Sequence, residues 1–264
     1  MNEPIKVLLR LVVPPRLRPR LRALYYGGSR YTCPICGNHL RRFLPAGLDF
    51  PVLKEKEVVG GGYYPNILCP VCGSFDRMRL LYLYLLHKTD LFQKRYKILH
   101  VAPERIVAER LRLVSGADYM TGDLHGDNVT GDVDITDIRF PDNTFDVIIC
   151  NHVLEHVIDD KRAMREIYRT LKPGGWAILQ VPISLTLETT YEDFSIVTEA
   201  GRERAFGQSD HVRLYGRDYK DRLEQAGFKV DLFQWTAEAE HFGTPKNVFG
   251  LNAKEAIYRA AKPN

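Results

Sequence analysis

From residue 96 onward the chain alternates short apolar runs with amphipathic stretches. Tyr96–Ala102 reads as a buried strand, and Pro103 suits the first turn of a helix with Ile106, Val107 and Leu111 on one face. Asp118–Thr121 and Val133–Ile135 have the length and composition of short second and third strands. The segment from Phe140 to Pro182 is the most regular. After the turn residues Pro141, Asp142 and Asn143, Asp146–Cys150 is a β-rich apolar run. From Asp160 onward Met164, Ile167, Tyr168 and Leu171 recur at helical spacing. Pro173, Gly174 and Gly175 are expected to stop that helix, and Trp176–Val181 is again strand-like. Strand, helix and strand within about 40 residues make a βαβ crossover, which requires a parallel sheet. Tyr215–Ala226 reads as helix, Gly227–Phe233 as a sixth strand and Ala256–Ala261 as a seventh. Arg77–His87 is an apolar helical run preceding the first strand. The fold class is α/β.

The length of 264 residues accommodates one α/β domain and a smaller module. Ordinary apolar and charged fractions exclude a disordered chain. The net charge of +4 conceals an asymmetry. Residues 1–45 carry nine Lys and Arg against Glu3 alone, leaving a mildly acidic remainder. A basic arm suggests a polyanionic neighbour, RNA or an anionic membrane surface, or simply a solvated terminus. Ile5–Leu24 has the character of a basic surface segment, but Pro14, Pro15 and Pro19 argue against a continuous helix. No stretch has the roughly 18 apolar residues of a membrane span, and a signal peptide is not indicated, so the expected location is cytoplasmic.

Cys33-Pro-Ile-Cys36 and Cys69-Pro-Val-Cys72 form two CxxC pairs, the spacing of a closed structural zinc site with four thiolate ligands. Gly37 and Gly73 follow the two pairs, as tight knuckles require. The insert between the pairs exceeds the usual ribbon spacing and contains a turn at Gly60, Gly61 and Gly62. The expected organisation is a basic arm over 1–30, a zinc-ribbon module over 31–76, a connecting helix over 77–95 and an α/β domain over 96–264.

The text FPDNTFDVIICNHVLEH, followed by RTLKPGG, resembles the fourth and fifth strands of class I S-adenosylmethionine-dependent methyltransferases, of the methyltransferase type 11-like kind. With the upstream CPVCGSFDRMR, the HVAPE turn and the downstream FGQSDHVRLYG, the chain looks like a zinc-ribbon branch of that family. The resemblance covers about residues 96–262. It implies a Rossmann-like seven-stranded methyltransferase sheet and S-adenosylmethionine as cofactor. It also assigns cofactor-binding positions by strand end: His100, Ala102 and Glu104 after the first strand, Asp123 after the second, Asp134 and Ile135 after the third, and Asn151 after the fourth. Two carboxylate oxygens suit the vicinal ribose hydroxyls at Asp123, and Asp134 matches the acid that meets the adenine amino group. The sequence departs from the family at the first loop, where Leu99–Glu104 has no glycine. Glu104 is the candidate replacement for the missing acid, facing the cofactor's amino group.

Methyl transfer requires an aligned nucleophile and, for a hydroxyl or protonated amine, a base. His152, just beyond the fourth strand, and His211 with Arg213 in the following polar connection are the candidate catalytic residues. His152, Glu155 and His156 also spell H-x-x-E-H, but the zinc-protease reading needs both histidines on one helix, and His152 follows directly from a strand. The expected function is methylation of an O or N acceptor on a small molecule or saccharide. The alternatives are an RNA methyltransferase using the arm and the zinc module, or a non-catalytic adaptor that has lost cofactor binding with its glycines. A nicotinamide dehydrogenase would need the same missing glycines.

Overall fold

A computed structural model of the chain describes residues 14–115, 118–124, 130–238 and 240–264. Lys6 and Arg10 of the basic arm therefore lie outside the described residues. The elements run, in order, α1 (Arg18–Tyr26), β1 (Gly27–Thr32), β2 (His39–Leu40), β3 (Leu44–Ala46), α2 (Pro51–Glu55), β4 (Val58–Val59), β5 (Tyr64–Leu68) and α3 (Asp76–Lys88). They continue as β6 (Ile98–Val101), α4 (Arg105–Ser115), β7 (Tyr119–Asp123), β8 (Gly131–Asp132), β9 (Phe145–Asn151), α5 (Asp160–Thr170) and β10 (Leu171–Gln180). The last are β11 (Ile183–Ser184), β12 (Tyr191–Glu192), α6 (Glu199–Phe206), β13 (Arg213–Leu214), α7 (Tyr219–Gln225), β14 (Lys229–Gln234) and β15 (Ala256–Ala261).

Seven strands form one sheet in the order β14-β15-β10-β9-β6-β7-β8. Strands β8, β7, β6, β9 and β10 are parallel, and β15 inserts antiparallel between β10 and β14. From β6 the chain winds outward through β7 and β8, then returns to β9 on the other side. The switch point therefore lies between β6 and β9, and ligands of open α/β sheets bind beyond the strand ends there. The central strands are buried on both faces, as parallel strands must be. Ile148, Cys150, Ala177 and Leu179 face a core shared with Met164 and Ile167 of α5 and Leu223 of α7. Val147, Ile149, Trp176 and Ile178 face α3 and α4 through Leu80, Leu83, Val107 and Leu111.

Four sequence expectations shift. The third strand is Gly131–Asp132 rather than Val133–Ile135; Val133 and Ile135 still turn into the core, but the backbone leaves the sheet after Val133 donates to Asp123 O at 3.1 Å. The helix expected to run to Pro173 ends at Thr170, because Leu171 already pairs with Phe145. Pro173, Gly174 and Gly175 form a bulge before the pairing resumes at Trp176 with Val147. The helix expected from Tyr215 begins only at Tyr219, since Gly216 packs against the Thr189 backbone where a Cβ would come within 2.7 Å. Pro19 stands in the first turn of α1 and opens that helix instead of breaking it; α1 buries none of its side chains. Among the described residues no helix is long and apolar enough to cross a membrane.

The cysteine region is joined to the sheet by Arg79 of α3. Its side chain is fully buried, and its guanidinium donates to the carbonyls of Ile67 (2.9 Å), Ser74 (2.9 Å), Phe249 (2.8 Å) and Gly250 (2.8 Å) while lying over the Phe43 ring. Two of these carbonyls flank the second cysteine pair and two belong to the loop before β15. Replacing Arg79 by Met would keep the stem but leave buried carbonyls without donors. Urea unfolding is expected to show a loss of about 3–5 kcal/mol; a loss below about 1 kcal/mol would contradict this role.

Candidate active site at the carboxyl edge of the sheet

The two strands that flank the switch point end alike. Ala102, after β6, has φ +44°, and His152, after β9, has φ +55°. These are left-handed conformations that cost a residue with a Cβ on the order of 1 kcal/mol or more. At Ala102 the chain makes this turn with the smallest side chain that has a Cβ. The turn is held by Ala102 N donating to Gly122 O at 2.8 Å. Strain of this kind gathers where surrounding structure over-determines a functional loop.

Beneath that turn His100 is completely buried. Its Nδ1 lies 2.7 Å from Tyr119 Oη and its Nε2 3.1 Å from Glu104 Oε2. The other Glu104 oxygen lies 3.5 Å from Asn151 Nδ2, and Asn151 Oδ1 is buried with no hydrogen-bond partner. Burial pushes the Glu104 carboxyl up, but the hydrogen bond and charge of His100 hold it below the usual glutamate range. His100 is thus a support for Glu104, while Glu104 and Asn151 present acceptor oxygens at the β6–β9 edge. Asp123 ends β7, half-buried. Asp134 is exposed, and one of its oxygens accepts from Thr136 N and Oγ1 at 2.8 and 2.7 Å; Ile135 beside it is buried.

A separate, cavity-lining group starts at His152. Its Nδ1 lies 3.4 Å from Glu155 Oε1, and its Nε2 is buried without a partner. Glu155 and His156 follow in a single 3-10 turn, Leu154–His156. His156 Nδ1 approaches Asp210 Oδ2 at 3.1 Å, and the His156 ring meets that of His211 edge-on. Burial pushes the Glu155 carboxyl up, and His152, His156 and His211 more than offset this. Burial pushes His211 down to about 4, so its ring is neutral at pH 7. These residues line a cavity of about 430 Å³ together with Gly60, Arg77 and Pro182.

The far wall comes from the insert between the cysteine pairs. Strand β4 pairs antiparallel with β11 just beyond the end of β10, and Leu53 of α2 packs with Phe206 of α6. Gly60, at φ +86°, is needed here: a Cβ would lie 3.3 Å from His152 Cε1. Glu155, His156, Arg77 and Gly60 were missed as site residues in the sequence. The first two were visible only in the H-x-x-E-H letters, whereas the Gly60 wall is a long-range contact without a local signature.

Arg213, expected as a catalytic residue, is not part of the cavity lining. It is buried, with Nη1 donating to Leu154 O (2.8 Å) and to Val157 O, Nη2 to Ile158 O (2.8 Å) and Nε to Glu192 (3.0 Å). Its donors hold the Leu154–Ile158 stretch of the loop that follows β9. His152 and His211, by contrast, share the cavity.

The four cysteine sulfurs converge in the N-terminal module, with Cys72 only three residues from Phe75 of the cavity lining. Cys33 and Cys72 Sγ are 3.7 Å apart and Cys36 and Cys69 Sγ 3.9 Å apart, none of them in a disulfide. A tetrahedron with metal–sulfur bonds of about 2.3 Å has edges of about 3.8 Å, so the set fits zinc. Gly37 and Gly73 both turn at positive φ, with their N–H groups donating to Cys33 O and Cys69 O.

A family model described as a methyltransferase domain matches residues 93–232, more than half of the chain. The chain belongs to this methyltransferase family. The ubiquinone/menaquinone biosynthesis C-methyltransferase UbiE of Escherichia coli O1:K1 is 32% identical over 114 residues, covering 38% of this chain and 45% of that protein; its counterpart from Escherichia fergusonii matches equally. This methyltransferase chain thus spans less than half the length of those relatives. Among solved structures, the 1,6-didemethyltoxoflavin-N1-methyltransferase of Burkholderia thailandensis is 14% identical over 71% of this chain and 79% of its own, with TM-score 0.47. The phosphoethanolamine N-methyltransferase 2 of Haemonchus contortus is 16% identical over 70% and 52%, with TM-score 0.46.

Beside the cavity wall Glu255 is buried, and a Cβ on Gly60 would lie 3.8 Å from its Oε1. Burial and then the charge of Asp76 push its carboxyl up to about 8, with Arg77 opposing. The folded chain therefore binds this proton more tightly than the unfolded chain, and stability falls as pH rises from the ordinary glutamate range through 8. Glu255→Gln is expected to raise the melting temperature by about 5 °C at pH 8 and hardly at pH 4.5; an equal effect at both pH values would contradict the shift.

Proposed function

We propose that the chain is an S-adenosylmethionine-dependent methyltransferase acting on an O or N acceptor of a small molecule or saccharide, with zinc on Cys33, Cys36, Cys69 and Cys72 in a structural role. The observation that carries the reading is His152 Nε2, a buried ring nitrogen without a partner that lines the cavity one residue after the cofactor edge. The cofactor fits the residues present. Ala102 makes the close turn that the missing glycines would have made, and the orphaned Asn151 Oδ1 with the Glu104 carboxylate suits a cationic amino group. Asp123 would accept from the ribose hydroxyls, and Asp134 with the Ile135 backbone would meet the adenine. These fits speak against the adaptor reading, whose support was the absence of glycine.

When bound, S-adenosylmethionine supplies a methyl group on a positively charged sulfur. The residues then have three tasks. Glu104 and Asn151 anchor the amino acid end. The insert wall at Gly60 and the segment carrying Gly207, Gln208 and His211 cover the cavity and limit water. Glu155, beside Nδ1 of His152, favours the tautomer with its proton there and leaves Nε2 as the base that takes the acceptor's proton. His211 is a second candidate base. A carbon acceptor, as in the names of the UbiE relatives, would need the same proton removal from a neighbouring hydroxyl.

Calorimetric titration with S-adenosylhomocysteine tests the cofactor site: binding in the micromolar range is expected, weakened at least tenfold by Glu104→Ala, whereas unchanged affinity would remove Glu104 from the site. With any acceptor found to be turned over by methyl-label transfer, His152→Asn should lower kcat by about 100-fold or more while S-adenosylhomocysteine affinity stays within twofold. Full turnover in both His152→Ala and His211→Ala would defeat the base assignment.

A further inference from the structure

Glu155, His156 and His211 each bring one ligand atom within 4.8 Å of the others. Glu155 is 1% exposed, yet neither carboxylate oxygen has a hydrogen-bond partner. A buried carboxylate without donors is costly, and such groups are resolved by pairing or by metal coordination. Among the described residues His152 Nδ1, 3.4 Å from Oε1, is the one neighbour that offers this carboxylate a proton, and Oε2 is left without any partner. His211 is 5% exposed, and its ring stands 4.7 Å from that of His156, centroid to centroid, at 87°. Asp210 on His156 Nδ1 supplies the outer carboxylate that commonly orients a metal-binding imidazole and leaves Nε2 for the ion. The three groups line the same cavity.

We infer that Glu155, His156 and His211 form a second metal site, distinct from the four cysteines, that holds a divalent transition ion with an open coordination position toward the cavity. Two imidazoles and one carboxylate suit Zn²⁺, Co²⁺, Fe²⁺ or Mn²⁺ better than the oxygen-seeking Mg²⁺ or Ca²⁺. Three protein ligands leave room for an exogenous one, as in catalytic rather than structural sites. The H-x-x-E-H letters thus contribute differently from a zinc protease: the adjacent Glu155 and His156 come from one turn, and the third ligand comes from a separate segment held against it by Arg213. The site deepens the methyltransferase reading and rests on it for its role. With the ion bound, His211 serves as a ligand and His152 alone remains as the base; an acceptor oxygen in the open position would be made more acidic beside it, which points to a hydroxyl-bearing acceptor rather than an amine.

The test is a metal count on the full chain, saturated with Co²⁺ or Zn²⁺ and freed of excess by gel filtration. Wild type is expected to retain two equivalents and the Glu155→Gln and His156→Ala/His211→Ala variants one, with the thiolate-to-cobalt absorption of the cysteine site unchanged in all of them. One equivalent in wild type, or two retained in both variants, would overturn the site. Circular dichroism identifies any variant that fails to fold. The wild-type cobalt titration then decides alone, since a second equivalent that adds ligand-field bands without thiolate charge transfer supports the site and its absence refutes it. The count is independent of S-adenosylhomocysteine binding, so failure of the metal site and failure of the methyltransferase reading are separable.

Discussion

Arg213 fixes the geometry on which the proposed chemistry depends. A buried guanidinium is tolerable only when its donors are used, and here they are spent on three successive elements of the loop leaving β9: the carbonyls of Leu154, Val157 and Ile158. The adjoining network closes around Asp160, which accepts from Tyr215 Oη at 2.7 Å and from Arg222 at 2.8 Å. Backbone bonds add to it, with Val212 N donating to Glu155 O and Ser184 N to Tyr215 O. Together these bring His211 against Glu155 and His156 although the two segments lie far apart in sequence. A loop this firmly held can keep His152 in a left-handed conformation and a carboxylate in a buried position that neither would adopt alone.

The cysteine region is more than an appendage to this sheet. Its insert supplies α2 and β4, which reach the carboxyl edge of the sheet and form the wall opposite His152. Arg79 binds the base of the same region to the loop before β15. A metal on the four thiolates, placed by a geometry that fits zinc, would therefore stabilise the cavity wall as well as the small module, because metal binding in such a module is folding free energy.

Much of the sheet was legible in the sequence, because parallel strands buried on both faces announce themselves as short apolar runs, as at Ile98–Val101 and Phe145–Asn151. The misreadings came where tertiary contact overrides local pattern. Val133 and Ile135 alternate like a strand yet leave the sheet, and Leu171 fits the helix period but pairs with Phe145. The proposed cofactor edge follows from the strand ends alone. The acceptor side could be placed only in part: His152 and His211 were visible as polar residues beyond strands, whereas the burial of Glu155, the anchoring role of Arg213 and the approach of Gly60 exist only in three dimensions. Among the described residues of the arm, α1 buries no side chain.

The central claim is that a glycine-free turn at Ala102 still forms a working cofactor edge facing a histidine-lined acceptor cavity. A crystal structure of the chain with S-adenosylhomocysteine tests this most directly. The account predicts the amino group at Glu104 and Asn151, the ribose at Asp123, and the sulfur directed toward the cavity at His152. Density elsewhere, or none at millimolar ligand, would contradict it.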